Sequence, residues 1–351
     1  MNLQKRLLLI VFWGLSTLLF SQTGGKTVFN FLDMPVSARV SALGGRLVSV
    51  RENTDYSLPI LNPSMLNKQL STGLAFNCVD YFSDAVYGHF NYIQHFNKAG
   101  TFNFAFQFAT YGSFVETDEC GETIGTFTAG DYGLVVGYGR ELVDSMFSLG
   151  MNLKLFLSDY AHYFSSGMAV DFAASYYCLP KNISLTLLLK NIGTQFNPYD
   201  AKREKLPFDM QLAFSHRLKH LPVRYNIILH HLYTWKMTYD DPDDPFVMTD
   251  AVTNTKIKQG KGRQFFDNLF RHFTFALEIL PVKYISIQAA FDYNTRKEMR
   301  SYDRKGMVGF SYGLGVHVRN IHVYYARSHN NLASTPNHFT FSTQINSFWK
   351  K

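Results

Sequence analysis

The sequence predicts an all-β fold: a fourteen-stranded transmembrane antiparallel β-barrel, with an N-terminal hatch in its lumen. Three observations lead to this prediction. Apolar and polar residues alternate over segments of about ten residues, short and longer connections take turns between the segments, and aromatic residues gather at the segment ends. Alternating strands, tight turns on one rim and aromatic girdles are typical of outer-membrane barrels.

The alternation is clearest between Thr101 and Thr110, where every second residue is a phenylalanine and the residues between are small or polar. Successive side chains of a strand point to opposite faces, so this period of two indicates a strand with one apolar face. Similar segments are centred on residues 70–80, 85–95, 100–112, 126–140, 145–158, 163–177, 182–192, 205–218, 223–236, 270–280, 283–293, 306–318, 320–328 and 337–346.

The connections follow a short-then-long rhythm. Short ones lie at 97–100, 141–145, 179–182, 219–222, 280–282 and 319–320; longer ones lie at 113–125, 193–204, 237–269, 294–305 and 329–336, with brief exceptions at 81–84 and 159–162. Lipid offers no hydrogen-bond partners, so spanning strands must pair with one another in a closed sheet. The apolar face then meets lipid and the polar face lines the lumen.

Composition excludes several classes of protein. The 351 residues are 46% hydrophobic, 16% aromatic and only 17% charged, which rules out a disordered chain. A soluble β-sandwich also has alternating strands, but its outer face would carry more charge than this. The net charge of +7 falls to +5 without Lys5 and Arg6 and is not clustered, so we expect no nucleic-acid partner.

The sequence divides into three parts. Residues 1–21 have the basic start, the apolar run and the small residue of a secretory signal peptide, and the run is shorter than the ~20 residues that a spanning helix needs. Residues 22–68 lack the strand rhythm and contain Pro35, Pro59 and Pro63, so we expect a hatch or plug here. Residues 69–351 form the predicted outer-membrane barrel.

The hatch carries a motif with a family resemblance. Ser37-Ala38-Arg39 and Ala42-Leu43-Gly44-Gly45, preceded by Val28-Phe29 and Phe31-Leu32 and followed by Asn62-Pro63, resemble the PorQ family of type IX secretion-system components. This family belongs to the wider group of FadL-like and PorV-like outer-membrane barrels. The chain departs from the group's pattern at Ser64, where alanine is usual, and in its terminal Lys350-Lys351 in place of an aromatic residue.

The resemblance implies a function without chemistry of its own. PorQ-like proteins sit in the outer membrane and hold the surface attachment complex, which attaches secreted cargo to lipopolysaccharide. The implied partners are a PorZ-like surface protein, a PorU-like sortase and a PorV-like barrel, together with outer-membrane lipid. The alternative is a FadL-like transporter of hydrophobic small molecules, which would need a continuous apolar pocket and a lateral gap in the wall.

Six charged residues lie at predicted lumen positions within the strands: Lys154, Asp171, Lys190, Arg224, Glu278 and Asp292. A charge on the lipid face at mid-bilayer costs ~2–4 kcal/mol, so these side chains are expected to point inward. They could line a polar conduit. We favour pairing with one another or with the hatch, which offers Arg39, Arg46 and Arg51.

Two loops are candidates for surface contacts. Asp240, Asp241, Asp243 and Asp244 lie in the longest loop, where they could bind Ca²⁺ or remain solvated, and this loop is our first choice for partner docking. The loop 294–305 holds Arg296, Lys297 and Arg300, which could meet lipopolysaccharide phosphates.

We expect no catalytic residue, cofactor or metal. Gly309, Ser311 and Gly313 match a nucleophile-elbow spacing, but they lie in a predicted strand with no helix after them. His230 and His231 are strand neighbours that should point to opposite faces, which prevents them from holding one ion. Cys78, Cys120 and Cys178 lie far apart in the sequence and are expected to be unbridged. An outer-membrane lipase or protease is therefore a distant third hypothesis.

Overall fold

The computed structural model describes residues 27–46, 49–52, 54–142, 146–200, 202–237, 261–299, 306–332 and 335–346. Within these residues, fourteen antiparallel strands pair in chain order, and β1 pairs with β14 to close the barrel. The predicted fourteen-stranded antiparallel barrel is therefore confirmed. The predicted signal peptide at 1–21 lies outside the described residues.

The strands are β1 (Gly73–Asp80), β2 (Val86–Phe96), β3 (Gly100–Thr117), β4 (Thr123–Leu142), β5 (Phe147–Tyr160), β6 (Tyr163–Cys178), β7 (Ile183–Asn197), β8 (Asp209–Arg217), β9 (Val223–Leu229), β10 (Phe273–Val282), β11 (Ile285–Asp292), β12 (Phe310–Val318), β13 (Ile321–Ser328) and β14 (Asn337–Gln344). The α-helices are α1 (Ala38–Ala42), α2 (Lys261–Arg271) and α3 (Tyr293–Glu298). No helix of the described chain is long and apolar enough to cross a membrane.

Strand β5 shows how the sequence pattern becomes two faces. Its odd-numbered residues from Phe147 to Leu157 are apolar and exposed, and its even-numbered residues include the buried Ser148, Asn152 and Lys154. An apolar outer face and a polar inner face are what a strand between lipid and a filled lumen requires.

The two rims of the barrel differ. The connections β2–β3, β4–β5, β6–β7, β8–β9, β10–β11 and β12–β13 lie on the same rim as the start of β1 and the end of β14; we call it the turn rim. The other seven connections form the loop rim. In outer-membrane barrels the short turns face the periplasm and the longer loops face outward.

Several predicted boundaries are wrong. The predicted loop 113–125 is mostly strand, because β3 and β4 stay paired from Ser113 to Thr117 and the rings of Phe114 and Phe127 stack 5.3 Å apart. The predicted strand 223–236 ends at Leu229, where pairing stops before a positive φ of 54° at His231. The predicted loops 237–269 and 294–305 contain parts of α2 and α3.

The segment before β1 lies inside the barrel. It starts at the loop rim, where the Val28 N–H donates to the Lys205 carbonyl at 3.0 Å, and it ends at the turn rim, where Thr72 hydrogen-bonds to Ile93 and Ile345. Between these points most of its side chains are buried, including those of Phe31, Leu43, Leu58, Ile60 and Leu66. We call the described residues from 27 to 72 the hatch.

The apolar outer face leads to a direct test. Leu153 is half-exposed in the middle of β5, whereas Ile124 is exposed near the tip of the β3–β4 hairpin, beyond the spanning part of the wall. We expect Leu153→Arg to lower the free energy of unfolding in lipid vesicles by about 2–4 kcal/mol, because it puts a charge at mid-bilayer depth.

The measurement is urea unfolding followed by tryptophan fluorescence, with Ile124→Arg as the matched control. The control should differ from wild type by less than about 1 kcal/mol, since its side chain remains in water. Equal losses in the two variants would contradict the assigned membrane face.

Candidate functional site: the hatch interface

The first half of the hatch motif forms helix α1. The Ser37 hydroxyl caps the helix by accepting from the Val40 N–H at 3.2 Å, and the Ala38 N–H donates to Thr340 Oγ1 of β14 at 2.7 Å. Small residues allow a close approach here: a Cβ at Gly313 of β12 would lie 2.7 Å from the Cβ of Ala42. The motif therefore seats α1 directly on the inner wall.

The two glycines of the motif end this helix. Gly44 and Gly45 have positive φ angles of 90° and 79°, and the Gly45 N–H donates to the Val40 carbonyl at 2.8 Å, which is a left-handed helix end. A Cβ at Gly44 would lie 2.4 Å from Thr274 Cγ2 of the wall. Leu43 before them is fully buried. These positions need glycine both for conformation and for space.

Asn62 and Pro63 dock against the opposite part of the wall. The Asn62 side chain accepts from the Ser64 N–H at 3.1 Å and so starts a short 3₁₀ turn. A Cβ at Gly139 or Gly150 would lie 2.4 Å or less from atoms of Pro63. Strands β4 and β5 thus provide a glycine-lined seat for this turn.

A buried ionic cluster joins the hatch to the wall at the centre of the lumen. Arg39, 1% exposed, donates from Nε and Nη2 to the two carboxylate oxygens of Glu278 on β10, at 2.9 and 3.0 Å. It also contacts Glu52 at 2.6 Å and Asp55 at 3.1 Å. Arg224 of β9 lies 2.5 Å from Glu278 and 2.6 Å from Glu52. We call these five residues the central cluster.

The two hatch carboxylates of the central cluster titrate differently. Burial raises the pKa of Glu52, but the guanidinium groups of Arg224 and Arg39 outweigh it and lower the pKa to about 2. Burial raises the pKa of Asp55, and the opposing effect of Arg39 does not cancel it. Glu52 therefore stays ionised at neutral pH, whereas Asp55 takes up a proton at a higher pH than an exposed aspartate does.

The other predicted lumen charges are paired as well. Lys154 contacts Asp171 at 2.7 Å and donates to Asn191 at 2.8 Å, so this pair lies within the wall. Lys190 of β7 reaches Asp33 of the hatch at 2.6 Å.

Arg46 and Arg51 also bind the wall. Arg46 lies between the carboxylates of Asp209 at 3.3 Å and Asp292 at 4.0 Å. Arg51 pairs with Glu141 and covers the ring of Tyr177 at 4.6 Å. The six lumen charges thus have partners in the hatch or the wall.

Sequence reasoning missed several partners in these contacts: Asp33, Glu52, Asp55 and Asp209. The three hatch acids lie in irregular backbone, where no periodicity assigns a direction to a side chain. Asp209 begins β8 and was hidden inside the longer predicted segment 205–218. The available signal was an excess of bases: the three lumen bases and three hatch arginines considered above outnumber the three predicted lumen acids by three.

The prediction that His230 and His231 point to opposite faces of a strand is wrong. The residues follow the end of β9, so they do not alternate as strand neighbours, and their Nδ1 atoms lie 2.7 Å apart. No group of three potential metal ligands occurs among the described residues. Ser311 points into the lumen and donates to the Ala42 carbonyl at 3.2 Å, so it serves hatch docking.

Only some of the predicted surface-contact residues lie within the described part of the chain. Asp240, Asp241, Asp243, Asp244 and Arg300 lie outside the described residues. Arg296 donates to the Gly306 carbonyl, and Lys297 contacts Asp267 at 3.3 Å. Both cations of this described part are therefore already engaged within the protein. Cys78, Cys120 and Cys178 are unbridged.

Part of the wall near the loop rim is not made of strands. Pairing between β7 and β8 stops at Lys190 and Asp209, although β7 continues to Asn197, and β9 ends at Leu229. The residues 230–237 and helix α2 continue the wall above β8, β9 and β10. We call this part the helical wall section. Its exposed apolar side chains include Trp235, Phe265, Phe266 and Phe270.

This section carries the lipid-facing surface onward. The rings of Phe270 and Phe273 lie 6.2 Å apart, and Phe273 stacks on Phe275 of β10 at 5.7 Å. The inner side of the section meets polar and charged groups: the His231 N–H donates to Asp209 Oδ1 at 2.7 Å, Asp209 pairs with Arg46 of the hatch, and His230 is completely buried.

Comparisons with known proteins show likeness of fold. No protein-family model matches the chain, and no curated protein matches it in sequence. A deltaS2 mutant of the TodX monoaromatic hydrocarbon channel is similar over 87% of this chain and 96% of that chain, with a TM-score of 0.49 and 11% identity.

Two further solved structures are similar. For a FadL homologue from Pseudomonas aeruginosa the TM-score is 0.45, with 11% identity over 88% of this chain and 98% of that chain. For the KdgM porin the TM-score is 0.35, with 6% identity over 78% of this chain and 99% of that chain. A shared barrel does not transfer a ligand or a partner. With its closed ring of strands and apolar outer face, the protein is a multi-pass β-barrel of the outer membrane.

The central cluster predicts a large effect of removing Arg39. We expect Arg39→Met to lower the free energy of unfolding by about 3–5 kcal/mol, because the buried Glu278 carboxylate would keep Arg224 but lose Arg39 as a charged partner. The matched control is Arg203→Met, at an exposed loop position. Its loss should stay within about 0.5 kcal/mol.

Limited proteolysis separates loss of hatch docking from loss of the barrel. We expect the hatch of Arg39→Met to be cut while the heat-modifiable gel band of the folded barrel remains. Wild-type stability together with a fully protected hatch in Arg39→Met would show that the central cluster does not hold the hatch.

Proposed function

We propose that this protein is a plugged, non-enzymatic outer-membrane barrel that anchors proteins at the cell surface. The central cluster carries the proposal. Arg39, Glu52 and Asp55 of the hatch meet Arg224 and Glu278 of the wall in the middle of the lumen. A solute on this path would have to separate five charged groups, four of which are buried.

Energetics favour a resident hatch over a mobile gate. Withdrawal of Arg39 and Glu52 would leave Arg224 and Glu278 of the wall without their hatch partners, and breaking a buried ion pair from one side costs about 3–5 kcal/mol. Release would also separate Lys190 from Asp33, and Arg46 from Asp209. These contacts are spread along the hatch, so a partial opening gains little.

We further propose that the anchored assembly is the attachment complex of type IX secretion. The support for this is the resemblance of Ser37-Ala38-Arg39 and Ala42-Leu43-Gly44-Gly45 to the PorQ family. In that assembly a PorZ-like protein, a PorU-like sortase and a PorV-like barrel would be the partners. Docking would take place at the loop rim, which faces outward and includes the tall β3–β4 hairpin.

Transport of a hydrophobic small molecule is the second candidate. The helical wall section favours it, since a wall without continuous strand pairing offers a place for lateral passage. A FadL homologue and the TodX hydrocarbon channel share the barrel architecture. Against this candidate, the groups behind the section are Arg46, Asp209 and His230, and a hydrophobic ligand would have to desolvate them. We therefore rank anchoring first.

The anchor proposal is tested by affinity purification from the native outer membrane in mild detergent. We expect a PorZ-like surface protein to co-purify with the tagged chain, and deletion of the gene to reduce surface-attached cargo at least severalfold. As a control, an equally abundant outer-membrane porin should not bring the partner down. Normal cargo display in the deletion strain, with no co-purifying surface protein, would refute the attachment role.

The transport candidate is tested by uptake. Under the anchor proposal, cells that lack their own hydrocarbon channel should take up radiolabelled fatty acid or monoaromatic hydrocarbon no faster when they express this protein than when they carry an empty vector. A FadL-type channel serves as positive control. Saturable uptake that is lost on replacing Phe265 and Phe270 by aspartate would establish transport through the helical wall section.

A further inference from the structure

The turn rim carries a ring of basic side chains. Each of its six connections has at least one exposed lysine or arginine in the turn or in the strand end beside it, and the hatch adds another next to β1: Lys68, Lys98, Arg140, Lys181, Arg217, Lys219, Lys283 and Arg319. We call these eight residues the basic ring. They come from widely separated parts of the sequence, and only closure of the barrel assembles them.

The basic ring has no internal compensation in the part of the chain that the structure describes. None of the eight side chains forms an ion pair there, and the one acidic residue of the same rim, Glu141, is engaged by Arg51. Asp144, Lys350 and Lys351 of the sequence lie outside the described residues. Eight uncompensated cations at one end of a small barrel require anions from elsewhere.

The loop rim carries exposed charges of both signs. Its exposed carboxylates are Asp80, Asp84, Asp118, Glu119, Glu122, Asp159, Asp200 and Glu204, and its exposed bases are Lys202, Arg203, Lys205, Lys236 and Arg263. The turn rim therefore differs from the loop rim in exposing bases without a matching set of carboxylates among the described residues. General solubility does not require a rim of one sign, because mixed charges such as those of the loop rim serve it equally well.

Five of the eight cations have an exposed apolar side chain within two residues in the sequence. Lys181 is two residues from Leu179, Lys219 is two residues from Leu221, and Lys283 precedes Tyr284; these three apolar side chains are 62%, 57% and 63% exposed. Phe96 and Val318 stand in the same relation to Lys98 and Arg319. An exposed apolar group next to a long basic side chain is the arrangement that a membrane interface stabilises.

The rim also offers a recess between adjacent turns. A cavity of about 500 Å³ opens between the β6–β7 and β8–β9 turns and is lined by Asn182, Arg217, Lys219, His220 and their neighbours. Its polar groups are a side-chain amide and basic side chains. Such a recess suits a phosphate group with a small polar substituent.

We propose that the basic ring binds the headgroup phosphates of anionic phospholipids in the periplasmic leaflet of the outer membrane. The ring surrounds the whole circumference, as lipid does, whereas an acidic protein partner would contact one arc or cap the end. The adjacent apolar side chains enter the acyl region while the lysine and arginine side chains extend to the phosphates. These two kinds of contact fix the depth and the orientation of the barrel in the membrane, independently of what the loop rim binds.

The test measures lipid selectivity of the full chain. The protein is refolded into vesicles of equimolar phosphatidylcholine and phosphatidylglycerol and excised with a styrene–maleic acid copolymer, and the lipids in the particles are quantified by mass spectrometry. Relative to empty vesicles, we expect phosphatidylglycerol to be enriched over phosphatidylcholine up to about fivefold, with the enrichment falling at high salt.

The variants locate the effect. K181Q/K219Q/K283Q should lose most of the enrichment, whereas K202Q/R203Q/R263Q, which removes three exposed cations from the loop rim, should keep it. Heat-modifiable gel mobility verifies that both variants are folded. No enrichment in wild type, or equal loss in both variants, would overturn the proposal. It would also fail if the first variant kept its lipids but lost an acidic periplasmic protein that wild type captures from native membranes.

Discussion

Charges that pair across the boundary between hatch and wall hold the centre of this molecule together. A fourteen-stranded barrel is wider than its own side chains can fill, so its lumen needs either water or a plug. A plug of irregular backbone brings polar groups into the lumen, and each of them needs a partner. Arg39 and Glu278 meet this need with two hydrogen bonds although they lie 239 residues apart in the sequence, and the amide of Asn152 donates to the Ile60 carbonyl at 2.8 Å.

The wall is adapted to this plug. Where the hatch backbone comes closest, the wall has glycine, as at Gly139 and Gly150 beneath Pro63. Where the hatch carries a base, the wall carries an acid, as at Arg46 and Asp209. The inner face of the wall is therefore complementary to the hatch in shape and in charge. A channel for hydrophobic molecules requires a uniformly apolar lining instead. The stability of hatch and wall is coupled, since neither surface is satisfied without the other.

The alternation of apolar and polar residues was sufficient to predict the barrel, but it was not sufficient to predict the contacts between the hatch and the wall. The number of strands and the inward direction of Lys154, Asp171, Lys190, Arg224 and Glu278 follow from a period of two, which lipid on one side enforces. The alternation is not enforced in segments that do not contact lipid. Glu52 and Asp55 lie in irregular backbone, His230 and His231 follow a strand that ends early, and the β3–β4 hairpin continues as a strand beyond the membrane through ring contacts such as Phe114 with Phe127. In all three places tertiary contacts decide the geometry.

Most of the residues that carry the family resemblance are buried, and Val28, Gly44 and Gly45 are partly buried. Ser37, Ala38, Arg39, Ala42 and Leu43 are at most 1% exposed, and Asn62 is completely covered. Buried residues cannot touch a surface protein, so the motif describes how a hatch docks in a barrel and not which partner the barrel holds. A FadL-like transporter and a secretion anchor can therefore share this motif. What distinguishes the two must lie in groups that a partner or ligand can reach, namely the loop rim and the helical wall section, where the chain departs from regular strands.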